Sequence, residues 1–306
     1  MQPTLGERQL FIDEDDVAEV HGLRATLHEP EKKGAVIRPD MAQLEGRGLM
    51  QVRSAPFWDP QDELFRYAVV TDAGGPTGDN ILCESRDGYD WRLKPIGPDG
   101  ERAFNAEVGD RTAALYTLLS DPADVDSPKR RFKSFISHPH SRKHLIPITS
   151  PDLLHWEMND ETPFRSQDEH NLSYDPVAQV YIATPKVPGV YGRSVGLSTS
   201  RDYDYWSQSE LMFQTDGLDQ ELAAGHIDWY MKEPTLYSQA GKHDHWDWHN
   251  VDVYNMGVFR YESLYLGLPA FFHRFGPIED GDRTQYAFTF FPLVCSRDLR
   301  AWKRVA

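Results

Sequence analysis

Cysteine is scarce in this chain, two residues in 306, so no framework of disulfides can carry the fold. Positive charge is scarce as well: 32 Lys and Arg stand against 48 Asp and Glu, a formal net charge of −16. A surface that reads nucleic-acid phosphates needs the opposite balance, and an anionic membrane face is disfavoured for the same reason. No apolar run approaches membrane length. Gly-x-Ser-x-Gly elbows and dinucleotide fingerprints are missing, and Gly74-Gly-Pro-Thr-Gly78 lacks the Lys and the following helix pattern of a phosphate loop. Kinase, dehydrogenase and α/β-hydrolase chemistry are thereby excluded. Strong helical periodicity is also rare. Met1–Arg8 lacks a basic start leading into an apolar core, so a cytoplasmic location is the default expectation.

What the chain has is repetition. Ser-x-Asp-x-x-x-Trp occurs at Ser85/Asp87/Trp91, Ser150/Asp152/Trp156, Ser200/Asp202/Trp206 and Ser296/Asp298/Trp302. Each copy follows a short apolar run and precedes an extended stretch. Asp bonds its own backbone two residues on, and Trp supplies a packing face, so each copy predicts a strand, a tight turn and a strand. Phe57-Trp-Asp-Pro60 and Ser173-Tyr-Asp-Pro176, each followed by an aromatic-rich run, predict a second kind of hairpin. Two successive hairpins make a four-stranded antiparallel blade, and units of roughly 40 to 50 residues point to a propeller. With 22 Gly, 21 Pro and 12% aromatic residues, the composition suits many short strands. The expectation is an all-β, single-domain β-propeller over residues 1–306. Its blades fall at about 49–93, 103–158, 168–210 and 252–306, with an insertion at 213–250. Cys83 and Cys295, just ahead of their Ser-x-Asp motifs, are expected as buried strand thiols.

Innermost blade strands line a propeller's funnel, so polar groups at their starts are the first site candidates. Those starts are Glu45–Arg53, Glu107–Thr112, Asp168–Asn171 and Asp252–Asn255, each with an acid. These residues carry a resemblance. Leu10–Asp15, the stretch from Leu27-His-Glu-Pro30 to Arg38-Pro-Asp40, Asp168-x-His-Asn171 with Tyr174-Asp-Pro176, and Asp252 to Gly267 are similar to bacterial glycosidase-like β-propeller proteins. Those in turn resemble the five-bladed glycoside hydrolases of arabinanase, xylosidase and invertase type. The resemblance implies a carbohydrate substrate and carboxylates drawn from different blades, a fifth blade being incomplete or absent here. Glycoside cleavage uses one protonated acid and one ionised base or nucleophile, and a third acid raises the donor's pKa. On that footing Glu45, Asp168 and Asp252 are the catalytic candidates: Asp168 or Glu45 as base or nucleophile, Asp252 as acid or pKa modulator. Asp40 rivals Glu45. Asp40, Arg53, His170, Asn171, Trp248, Tyr254, Asn255 and His273 are the candidates for holding substrate.

Plainer readings stay open beside these. Asp168 equally caps a turn, Asp252 equally pairs with His249 or Arg260, and Glu45 equally sits on a surface loop. The cluster His243-Asp-His-Trp-Asp-Trp-His249 matches no established metal spacing, and no metal or cofactor is assigned to it. Its Trp residues, with Trp229, Tyr230 and Tyr254, suit stacking on sugar rings. Two function classes follow, a glycoside hydrolase and a non-catalytic sugar-binding or scaffolding propeller, with metal-assisted chemistry a weaker third. A fan of four blades exposes a sheet edge that a second copy can pair with. Sedimentation equilibrium is therefore expected to give a homodimer, and a strict monomer would remove that expectation.

Overall fold

The computed structural model describes residues 6, 8–13, 17–24, 26, 28, 30–38, 50–51, 55–71, 79–94, 103–121, 127–138, 140–159, 163–233, 246–276 and 287–305. The chain divides into two compact units. One comprises Met1–His21, Lys186–Leu197 and Glu210–Ala306, the other Gly22–Pro185 and Ser198–Ser209.

The second of these units holds two complete sheets. In the first sheet the strands run Met50–Gln51, Leu64–Thr71, Asp79–Ser85 and Trp91–Lys94 in spatial order, all antiparallel. In the second, Leu119–Ser120, Phe132–His138, Ser141–Ser150 and His155–Met158 make the corresponding meander. A third sheet follows the same order through His170–Asp175, Val180–Gly189, Gly192–Ser200 and Glu210–Phe213, its strands divided between the two units. The fourth sheet, in the other unit, runs Trp248–Tyr261, Leu264–Gly276, Val294–Ser296 and Trp302–Arg304. These are propeller-type blades, and the fold class is all-β as the repeats predict. One hairpin departs from expectation. Ala106–Val108 and Arg111–Ala113 are not an inner edge, because Ala106–Val108 pairs in parallel with the Trp156 strand at the opposite side of the sheet. The inner-edge position belongs to Leu119–Ser120.

The four Ser-x-Asp-x-x-x-Trp copies adopt one hydrogen-bond scheme. The serine hydroxyl accepts the N–H three residues on, at 2.9–3.0 Å, and donates to the aspartate. The aspartate Oδ1 accepts the next two backbone N–H groups at 2.8–2.9 Å. The indole Nε1 donates back to the carbonyl of the fourth residue. That fourth residue, Gly88, Leu153, Tyr203 or Leu299, has φ between 66° and 78°. An L side chain is strained there by about 1–2 kcal/mol. Leu153, Tyr203 and Leu299 tolerate the strain because each is buried, offsetting it with apolar contact. Hydrogen bonds hold all four aspartates below their ordinary 3.8, chiefly backbone N–H groups at Asp87 and Asp298, and against an upward push from burial at Asp152 and Asp202. Their contribution to stability is complete above that value and is lost as pH falls through the lowered ones.

Side chains alternate across each sheet. In the first, Ala68 and Leu82 join Val108, Phe132, Ile148 and Trp156 in one core, while Tyr67, Val69, Ile81 and Cys83 pack on the other face with Trp91 and Ile37. A further core centres on Phe135, whose ring meets Phe164, His170, Tyr203 and Trp206 at 5.1–5.8 Å. Cys83 and Cys295 are buried and unbridged, and burial pushes the Cys83 thiol up to about 12. The predicted insertion contains a helix, Gly217–Lys232. Asp216 caps it by accepting from Leu218 and Asp219 N–H groups, and the Asp219 side chain reaches back to the Asp216 N–H. Its buried stripe is Asp219, Ala223 and Ile227, four residues apart.

Asp202→Ala removes an acceptor for two N–H groups and is expected to lower the unfolding free energy by about 1–2 kcal/mol. Asp202→Asn keeps an acceptor oxygen and should lose less. Urea unfolding of the two variants checks this, and equal losses would mean that the acceptor oxygen does not hold the turn.

Candidate functional site

Asp252 lies on the edge strand Trp248–Tyr261 of the fourth sheet, opposite Phe272 on Leu264–Gly276. It is 1% exposed, and its partners are neither His249 nor Arg260. Arg193 Nε donates to Oδ1 at 3.1 Å and Oδ2 at 3.0 Å, and the Arg193 backbone N–H reaches Oδ2 at 3.3 Å. From the other side Arg274 Nη2 stands 3.2 Å from Oδ2. Arg274 is placed there by register: it pairs with Asn250, two residues from Asp252 on the same face. Arg193 is placed by a tight approach at Gly192, whose φ is +122° and where an added Cβ would stand 2.9 Å from Asp252 Oδ2. Asn250 Nδ2 holds the same turn through the Tyr191 carbonyl at 3.0 Å. Taking one member from such a buried group leaves an uncompensated charge and typically costs about 3–5 kcal/mol.

Aromatic rings enclose these charges. A bulge between Val253 and Met256 sets Tyr254 and Asn255 against a single partner residue. The Tyr254 ring lies beside Phe272 at 5.3 Å and carries Arg193 at 4.7 Å and the Lys186 Nζ at 4.0 Å. Arg193 also covers Phe272 at 4.5 Å, and Arg274 lies 5.8 Å from the Trp248 ring. Burial and the neighbouring Arg193 charge lower the pKa of Arg274, with Asp252 opposing them. Trp248, Tyr254 and Asn255 are half-buried.

His273, on the central strand of the same sheet, is 1% exposed. Its Nδ1 faces the Phe271 carbonyl at 3.2 Å and its Nε2 faces His226 Nδ1, on the helix, at 3.1 Å. This arrangement assigns an N–H to Nδ1 of each ring. Phe288 stacks on His273 at 4.8 Å and Phe290 meets it edge-on at 5.3 Å. Burial pushes His273 down to about 4 and lowers His226 as well. His249 Nε2 lies 3.0 Å from the Gln220 carbonyl. Among the described residues no group of three or more His, Cys, Asp or Glu is placed to hold a metal.

In the other unit, Asp168 is exposed ahead of the strand His170–Asp175, and its carbonyl accepts from Ser166 Oγ at 3.1 Å. Its neighbours Glu169 and His170 are buried, at 2% and 3% exposed. Asn171 is half-buried and pairs with Thr184. Asp59 and Asp175 are turn residues as expected: Asp59 accepts the Gln61 N–H and is held by Arg66 and Arg131, and Asp175 accepts from Val177 and Ala178. Asp40, Glu45, Arg53, His243 and His245 lie outside the described residues.

Sequence reasoning did not single out Arg193, Arg274, Lys186 or Glu169. For Arg193 the one local signal is Gly189–Gly192, a turn followed by Arg; for Arg274 there is none short of the strand register.

No family model matches the chain, and no curated protein matches it. Among solved structures it is similar to a Bombyx mori GH32 beta-fructofuranosidase, at 12% identity and a TM-score of 0.43, over 85% of this chain and 49% of that one. It is also similar to a Penicillium chrysogenum alpha-L-arabinanase complexed with arabinobiose, at 12% identity and 0.42, over 81% and 65%. A fructan 1-exohydrolase IIa from Cichorium intybus gives 9% and 0.40, over 76% and 43%. The chain spans about half the length of the Bombyx mori enzyme.

The neutral His226–His273 pair has a consequence for stability. His273 is uncharged when folded and titrates near 6.5 when unfolded, so its contribution is complete above 6.5 and is lost as pH falls towards about 4. The loss should amount to about 1–3 kcal/mol. In His273→Phe this part of the pH–stability profile is expected to flatten; an unchanged slope would place the titration elsewhere.

Proposed function

We propose that this protein is a glycoside hydrolase-like enzyme acting on a small oligosaccharide or a chain end, with its catalytic carboxylates among Glu45, Asp168 and Asp252. The observation that supports this best is the setting of Asp252: a fully buried carboxylate fixed by two arginines beside Trp248, Tyr254 and Phe272. Sugar C–H faces pack on aromatic rings, and hydroxyls bond to carboxylates and guanidinium groups, so the arrangement suits a carbohydrate. Both Asp252 oxygens are engaged by arginine N–H groups, which suits its candidate role as modulator better than its role as acid. Asp168, exposed at the head of its strand, is the proposed base or nucleophile, with Glu45 as its alternative.

The same clamp favours a second reading. A carboxylate taken up by two arginines also suits a positioning group, which fits a non-catalytic sugar-binding module equally well.

Aryl glycosides and oligosaccharides distinguish the two. Turnover is expected from the wild type, with Asp252→Asn and Asp168→Asn each lowering kcat/KM at least about 10³-fold in protein that circular dichroism shows to be folded. Absence of turnover over a broad panel, with sugar binding retained, would replace the enzyme by the binding module.

A further inference from the structure

The arginine pair exceeds what Asp252 needs. Two guanidinium groups meet one carboxylate, so the trio carries a net positive charge inside a chain whose formal charge is −16. Arg193 Nη2 stands 2.9 Å from Asp252 Oδ1 but aims no N–H at it, and Arg274 Nε likewise donates to no acceptor among the described residues. Those two atoms are themselves buried, and the exposed part of each side chain, 24% for Arg193 and 19% for Arg274, lies on its other atoms. Buried donors normally find acceptors, and a guanidinium presents paired N–H groups whose spacing matches the two oxygens of a carboxylate.

We propose that Arg193 and Arg274 form a subsite for the carboxylate of an acidic sugar, a hexuronate. The proposal rests on the carbohydrate reading above and names its substrate class. Asp252 acts in it as a positioning residue: it sets the two guanidiniums side by side and leaves the cluster one positive charge in excess. The rings of Tyr254, Phe272 and Trp248 border the two guanidiniums and make the surroundings of the carboxylate apolar. A planar two-oxygen anion matches the fork, whereas a lone ammonium such as lysine would meet it as a point charge. The lowered pKa of Arg274 agrees with this, since an added anion would offset both its burial and the charge of Arg193.

Isothermal titration at constant ionic strength tests the subsite with sodium galacturonate and glucuronate against galactose and glucose, and with inorganic sulfate as a competitor. At least one uronate should bind about tenfold or more tightly than its neutral parent. Arg274→Gln should abolish that preference, and Arg274→Lys should restore part of it. The wild-type comparison stands even if a variant proves unstable. Equal affinity for acidic and neutral sugars, a preference that survives Arg274→Gln in folded protein, or displacement of the uronate by equimolar sulfate would each overturn the subsite. Failure of every sugar, acidic and neutral, to bind would instead overturn the carbohydrate reading.

Discussion

A turn that bonds to itself is the constraint on which the four sheets rest. In each Ser-x-Asp-x-x-x-Trp copy, three side chains satisfy the backbone groups that a reversal of direction would otherwise leave without partners. The turn is thereby closed locally, before any distant contact forms, and it fixes which strand follows which. Long-range pairing then has fewer alternatives to exclude, which matters in a fold whose contacts are largely non-local. The cost falls on the fourth residue of the motif, driven into the left-handed region. Tyr203 shows how burial turns that cost into packing: its ring stacks on Phe135, and its hydroxyl donates to the Ser134 carbonyl at 2.5 Å.

This is why the fold was legible. The motif is a local hydrogen-bond scheme written in three residue types, so four copies declared four outer hairpins whatever the rest of the chain did. The Asp-Pro hairpins were legible for the same reason. The reading went astray where placement depended on partner choice. Ala106–Val108 has the alternation of a strand, but nothing in those three residues says that its partner is the Trp156 strand in parallel. The helix was overlooked because its apolar residues do not share a face: Ala223 and Ile227 are buried whereas Leu218, Leu222 and Trp229 are exposed. Its Asp216/Asp219 capping box was the available signal.

The site divides in the same way. Asp252 was named as a candidate because an acid beside a run of strand-forming residues is visible in one dimension; the strand itself starts four residues earlier, at Trp248. Its arginines were not, since Arg193 arrives from a neighbouring hairpin and Arg274 from the paired strand, 59 and 22 residues away in sequence. His273 illustrates the converse. A histidine amid aromatics reads as a ligand contact, and the structure gives both of its nitrogens partners in a packed layer with His226, Phe288 and Phe290.

Charge on two length scales then bears on what such a protein binds. A formal charge of −16 repels any extended polyanion, and that repulsion reaches about a Debye length, roughly 8 Å at physiological salt. A single carboxylate on a small sugar is affected far less, because within that distance the local donors decide. Two guanidiniums sharing one aspartate make the local field positive where the global field is negative. With the proposed subsite, this combination would disfavour highly charged polymers while retaining affinity for a lone acidic group. Specificity of that kind needs both signs of charge, one spread over the whole chain and one confined to a few ångströms.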